Sequence, residues 1–408
     1  MELLAPAGGF EQLRAAVHFG ADAVYLGGER FGLRKRADNF ADDELADAVS
    51  YAHAHDVKVH VTVNALMHEG DLAGEGSLAE YLHLVEEAGA DAVIAGDLAT
   101  IAVARRETPR LAVHASTQLS CANHEAALVL RDLGASRIVL ARELTVGEIA
   151  AIRARIPDDL ELEVFVHGAM CMAVSGRCLI SNHLTGRDAN RGHCTQPCRW
   201  MYTLEEEKRP GVHIPVEEGE RGTAILSSKD LMMLDHLDDL RAAGVDSLKI
   251  EGRVKGAFYV ATVVNAYRHV LDGAPAADYL PELDAVSHRS YHTGFFYGAP
   301  DQTGAEIEYE QTRILAAVVE ACEPADEGAW RMVFSVRNRI AAGATVEVLS
   351  PGHPVRSFEM REIVHAETGD YVSVADRATE SYRCEAPFEI TPGDIIRRKI
   401  EPKECRCG

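Results

Sequence analysis

The chain predicts an α/β fold: a TIM-type (β/α)8 barrel with a cysteine-rich insertion after strand 7, followed by a small C-terminal β-barrel domain. Three observations carry that prediction. A phrase recurs as FGADAVYLGG at 19–28, AGADAVIAGD at 88–97, LGASRIVLAR at 133–142 and AGVDSLKIEG at 243–252. Each copy reads as a helix end, a glycine turn, a polar step and a short buried strand. Further strand-like runs and amphipathic stretches fill the gaps, so strands and helices alternate along the first two thirds of the chain. From about residue 311 the pattern changes to short alternating strands punctuated by turns at Ala342-Gly343, Pro351-Gly352 and Pro392-Gly393.

Taken in order, the strand candidates are 2–7, 23–28, 58–64, 92–97, 110–116, 137–142, 160–168 and 247–253. Amphipathic stretches at 10–20, 42–54, 79–89, 123–134, 145–155 and 230–243 supply the helices between them. Eight βα units fit a barrel over residues 1–275, with the insertion at 169–226. A doubly wound sheet uses the same alternation, and closure cannot be read from it. A helix at 256–271 and an irregular segment at 276–310 lead into the β module at 311–400, and the tail at 401–408 is expected to be flexible.

With 408 residues, 47% of them hydrophobic, the chain can bury a full-sized core. No window approaches the roughly 20 apolar residues that span a bilayer, so a cytoplasmic protein without membrane contact is expected. A formal charge of -23 opposes indiscriminate binding of phosphate. Positive charge is nevertheless concentrated in RFGLRKR at 30–36, with Arg34, Lys35 and Arg36, and in the cysteine segment, with Arg177, Arg191 and Arg199. Two readings stay open: a basic mouth on an acidic body, or scattered solvated arginines.

Strand parity points inside the barrel. Val59, Val61 and Val63 share one face and must meet the helices, which turns His60, Thr62 and Asn64 inward. By the same rule His114 and Ser116, then Glu163, Phe165 and His167, then Lys249, Glu251 and Arg253 face the interior. Burying such groups unpaired costs several kcal/mol each, so they form either a self-satisfied network or a ligand cavity. The later residues of each strand lie nearest the mouth, which gathers Asn64, His114, Ser116, His167, Glu251 and Arg253 into one expected ring. Arg253 could grip a carboxylate with both prongs, and His167 or Glu251 could move a proton.

The sharpest chemical signal is the spacing C-x6-C-x15-C-x3-C formed by Cys171, Cys178, Cys194 and Cys198, placed directly after strand 7. Four thiolates suit structural zinc or an iron–sulfur cluster, and the lack of a C-x2-C knuckle tilts the choice toward iron–sulfur. Cys121 and Cys322 read as small hydrophobes.

EVFVHGAMCMAVSGRC, the block NRGHCTQPCRW, LLAPAG, HASTQLS and KIEGRVK together closely resemble the signature of the U32 peptidase family, the "collagenase-like proteases". The resemblance covers nearly the whole chain and is nearest to the branch that supports prephenate-dependent 5-hydroxylation of tRNA uridine. It implies a 4Fe-4S cluster on Cys171, Cys178, Cys194 and Cys198, tRNA as partner and prephenate, a small carboxylate, as cosubstrate. The arginines of 30–36 and of the insertion would then form the RNA-docking surface. Two alternatives remain: the peptidase of the family name, and a non-catalytic Fe-S partner in a hydroxylation complex, as homo- or hetero-oligomer. The peptidase has weak motif support, since the chain has no H-E-x-x-H and no G-x-S-x-G.

Overall fold

Every predicted barrel strand forms. They are β1 (Glu2–Pro6), β2 (Ala23–Leu26), β3 (Lys58–Val63), β4 (Ala92–Ala95), β5 (Ala112–Ala115), β6 (Arg137–Val139) and β7 (Glu161–Ala169), with β11 (Ser247–Ile250) as the eighth. In this computed structural model the described residues are 1–34, 37–170, 180–197, 200, 203–205, 213–215, 229–298, 309–378 and 380–400. Cys171, Arg177, Cys178, Cys198, Arg199, Lys35, Arg36 and the tail at 401–408 lie outside them, and so do the expectations placed on those residues.

The strands pair in parallel in chain order, and β11 pairs with both β1 and β7. That second pairing closes the sheet and excludes the doubly wound alternative. Helices α1 (Phe10–His18), α2 (Glu44–His53), α3 (Leu78–Glu87), α4 (Leu98–Glu107), α5 (His124–Leu133) and α6 (Val146–Arg153) alternate with the strands. Local chemistry sets their ends: Asp97 and Asn123 accept backbone N–H groups at 2.7 and 2.9 Å, and Thr145 with Glu148 forms a reciprocal capping box. Gly134 ends α5 at φ 118, a conformation a side chain would oppose. Val59, Val61 and Val63 are fully buried on the helix-facing side, as parity requires.

The insertion after β7 carries α7 (Ile180–Thr185) and a short ribbon of β8 (Thr203–Glu205) and β9 (His213–Pro215). The chain returns through β10 (Asp230–Met232), antiparallel to the end of β7 and parallel to β12 (Tyr291–His292). A buried ion pair braces that return: Arg289 donates to Asp230 at 2.7 Å, and the same carboxylate accepts the Arg289 backbone N–H at 3.1 Å.

By internal contacts the chain divides into two units, the first holding residues 1–17, 21–256 and 289–308. The second holds His18–Gly20, Ala257–His288 and the chain from Tyr309 onward. Helix α9 (Ala257–Leu271), read in sequence as closing the last βα unit, thus groups with the second unit, where it packs on α10 (Ala276–Leu283); α8 (Leu237–Ala242) stays in the first. The second unit's main sheet is an eight-stranded antiparallel half-barrel around Val319, Phe334, Val346, Met360 and Ile396. Its ion centre is Arg397, 2% exposed, which bonds Glu347 at 2.9 Å and Glu282 at 2.6 Å.

Candidate active site at the barrel mouth

The inward polar residues settle into two tiers. In the lower tier Arg137 donates to Glu161 at 2.8 Å, to Glu163 at 3.1 Å and to Glu2 at 3.1 Å. Lys249 donates to the other oxygen of Glu163 at 2.8 Å, and Ser247 to Glu2 at 2.8 Å. Glu163 and Lys249 therefore belong to a self-satisfied network, one of the two readings parity allows. Burial opposes ionisation of Glu2, but Arg137 outweighs it and pulls the carboxyl down to about 2. His60 and His114 stack edge to face at 4.6 Å, each with an Nδ1 that has no hydrogen-bond partner. Burial lowers His60 to about 4 and His114 well below its ordinary value, so both rings are neutral near pH 7.

Above this floor a cleft of about 120 Å³ opens to solvent at the C-terminal ends of the strands. That is the face where barrels of this type carry their chemistry. Its lining includes Arg34, Asn64, Arg142, Lys249, Glu251 and Arg253. Arg253 follows β11 and is 3% exposed. One terminal nitrogen donates to Thr62 Oγ1 and the other to Asn39 Oδ1 at 2.5 Å, while its Nε has no partner. Both prongs expected to grip a carboxylate are thus spent on neutral oxygens. Burial lowers Arg253 to about 10, which leaves it charged at neutral pH. Gly27 makes room for it: a Cβ there would lie 2.4 Å from the guanidinium.

Arg142, beyond β6, lies flat on the Phe165 ring at 3.8 Å and donates to the Ala169 carbonyl at 3.0 Å. Its Nε is buried without a hydrogen-bond partner. Glu251 sits between two arginines, Oε1 at 3.6 Å from Arg34 and Oε2 at 3.8 Å from Arg142. Burial would raise its pKa, but Arg34, Arg142, Lys249 and Arg253 hold it below the usual carboxylate range. It stays ionised at neutral pH, which makes it a weak base.

Cys194 is the one member of the cysteine quartet among the described residues, and it lines this cleft. Thr195, next to it, donates its N–H to the fully buried Ser181 of α7 at 3.1 Å, and the two hydroxyls meet at 3.1 Å, which fixes the loop. Cys194 Sγ accepts the Gln196 N–H at 3.3 Å, a contact made by Gln196 adopting φ 56. A sulfur that accepts an amide and faces a basic cleft fits a metal-bound thiolate, whose sulfur can only accept. Among the described residues no group of three or more His, Cys, Asp or Glu is arranged to hold a metal ion.

Asn64, Ser116, Glu251 and Arg253 of the expected ring do line the cleft; His114 and His167 do not. His114 lies one step of two residues deeper than Ser116, on His60. His167 is displaced by a slip in register: Lys249 pairs with Phe165 but Ile250 with His167, and the His167 ring packs against Tyr291 at 5.4 Å. Arg34 faces the cleft. Arg191 bonds both oxygens of Asp71, at 3.0 and 3.3 Å, tying the insertion to the loop after β3. Sequence reasoning missed Arg142. Its signal was the basic residue closing the strand phrase LGASRIVLAR.

With this geometry in place, comparison with known proteins is direct. The model of peptidase family U32 matches residues 8–306, and that of the peptidase family U32 C-terminal domain matches 311–397. The chain belongs to peptidase family U32. A relative in Bacillus subtilis, tRNA hydroxylation protein P1, is 36% identical over 407 residues, 97% of this chain and 94% of that protein. The 23S rRNA 5-hydroxycytidine C2501 synthase of Escherichia coli is 40% identical over 272 residues, 67% of this chain and 39% of the synthase. A protein named collagenase in Porphyromonas gingivalis is 35% identical over 315 residues, 73% of each chain. Among the described residues no helix is long and apolar enough to cross a membrane.

Proposed function

We propose that this U32 chain is an RNA-modifying enzyme that hydroxylates tRNA, with the wobble uridine as target and a small carboxylate such as prephenate bound in the barrel mouth. The observation that carries the reading is a net-positive cleft, walled in part by Cys194, on a chain whose formal charge is -23. Relatives named for tRNA hydroxylation and for rRNA hydroxycytidine synthesis support the reaction class. Arg34, Arg142 and Arg253 would draw the carboxylate by their charge. Cys171, Cys178, Cys194 and Cys198 would hold a 4Fe-4S cluster. When bound, that cluster supplies an electron-transfer or Lewis-acidic iron centre beside the cleft.

The peptidase reading has a relative's name in its favour, but the cleft gives it little chemistry. Its described lining includes no histidine, and Glu251 is held ionised between arginines, whereas hydrolysis needs a base poised near neutrality. Mass spectrometry of tRNA nucleosides from a strain lacking the gene tests the proposal. Loss of a 5-hydroxyuridine-derived nucleoside, restored by the gene on a plasmid, is the expected result. An unchanged nucleoside profile together with peptide cleavage by the purified chain would overturn it.

A further inference from the structure

We propose that Asn39 is a positioning residue: its carboxamide joins the Arg253 guanidinium to the Arg34 and Ala37 carbonyls and so sets where Arg34 stands at the cleft. This rests on the reading of the barrel mouth as the place of an anionic cosubstrate, and adds the residue that keeps one wall of it in shape.

The stretch that carries Arg34 is tied to the barrel at both ends. At its start the Phe31 carbonyl accepts the Asn64 and Ala65 N–H groups, both at 2.9 Å, and Leu33 donates its N–H to Asn64 Oδ1 at 3.1 Å. At its end Asn39 donates its N–H to the Gly8 carbonyl at 2.8 Å, and Phe40 donates to that of Gly27 at 3.0 Å. Gly8 and Gly27 follow strands β1 and β2, so Asn39 is pinned at the rim of the barrel.

From that position the Asn39 side chain reaches both ways. Its Oδ1 accepts a terminal nitrogen of Arg253 at 2.5 Å, and its Nδ2 donates to the Arg34 carbonyl at 3.1 Å and the Ala37 carbonyl at 3.0 Å. The chemistry fixes that orientation: a guanidinium only donates and a carbonyl only accepts, so the reversed amide would oppose all three partners. The backbone narrows the choice further, because Asn39 stands at φ 55, where asparagine is tolerated far better than most side chains. Aspartate has the shape and the acceptor but no donor; glycine suits the backbone and has neither. Arg253 is itself 3% exposed and held from its other terminal nitrogen by Thr62 Oγ1. The carboxamide therefore ties the Arg34 backbone to a fixed point inside the barrel.

Two measurements on the whole chain, purified anaerobically, test this. Trypsin cuts after arginine and lysine, and residues 34–36 read RKR. Asn39→Asp keeps the acceptor for Arg253 and loses both donors, while Asn39→Gly loses donors and acceptor at the same φ. With melting temperatures unchanged, each should be cut within 34–36 about tenfold faster than wild type, the scale of two lost hydrogen bonds. Isothermal titration with prephenate gives the readout that a merely structural role would not move. Asn39→Gly should weaken binding about tenfold with Arg34 present and clearly less in an Arg34→Gln background, the coupling expected when one residue acts through another. Unchanged cleavage in both variants, or an equal loss of affinity in both backgrounds, would overturn the role given to Asn39. If wild-type protein binds no prephenate, the cosubstrate reading falls by itself, and the cleavage rates still decide whether Asn39 anchors the segment.

Discussion

Replacing Glu163 by glutamine tests whether the barrel floor is held by charge pairing. Glu163 is fully buried and receives Lys249 at 2.8 Å and Arg137 at 3.1 Å. Glutamine keeps its shape and removes its charge, so Lys249, 4% exposed, is left as a buried cation without an ion-pair partner among the described residues. Breaking one side of such a pair costs about 3–5 kcal/mol. In a domain of this size each kcal/mol moves the melting temperature by about 2–4 °C, so Glu163→Gln should lower it by roughly 10 °C. Lys249→Met should cost less, because Glu163 keeps Arg137. The double variant Glu163→Leu with Lys249→Met removes both charges while Arg137 keeps Glu2 and Glu161, and should recover most of the loss. Urea and thermal melts followed by circular dichroism measure all three. A loss below about 1 kcal/mol for Glu163→Gln, or a double variant as unstable as the single, would refute the pairing argument.

Three further outcomes follow from the same geometry. His60 falls from 6.5 to about 4 and Glu2 from 4.5 to about 2 on folding, so protonating either one on acidification costs the folded state about 3 kcal/mol relative to neutral pH. With both values depressed, the His60 share is full above 6.5 and lost as pH falls toward 4, and the Glu2 share is full above 4.5 and lost toward 2; stability that did not fall between pH 6.5 and 4 would contradict the assignment of His60. Gly27→Ala places a Cβ 2.4 Å from the Arg253 guanidinium, and should abolish prephenate binding while far-UV circular dichroism is unchanged; retained binding would show that Arg253 does not shape the site. Cys194→Ala should remove the roughly 400 nm absorbance and acid-labile sulfide of anaerobically purified protein, whereas Cys121→Ala should not. Stoichiometric zinc without sulfide would replace the iron–sulfur reading.

What the sequence made legible follows from the range of the interactions involved. Strand positions were readable because the glycine turn, polar step and apolar run of AGADAVIAGD are local. Closure was not, because it depends on β11 meeting β7 across more than 80 residues. Parity placed Asn64, Ser116, Glu251 and Arg253 at the mouth because a regular strand alternates faces. It failed at His167, where the register slips opposite Lys249 and Ile250. Charge pairing was least legible. Arg191 looked free for RNA, yet it bonds Asp71, 120 residues away in sequence, and Arg142 showed its importance only once Phe165 and Ala169 were beside it.

The most direct test of the central claim is complementation of a deletion strain with Arg142→Met, read as hydroxylated uridine in bulk tRNA by mass spectrometry. Methionine keeps an apolar chain on Phe165 and removes one of the three cleft arginines. The account predicts loss of the modified nucleoside with the melting temperature and cluster absorbance of the variant preserved. Wild-type levels of the nucleoside from that variant would contradict a role for the barrel mouth in RNA hydroxylation.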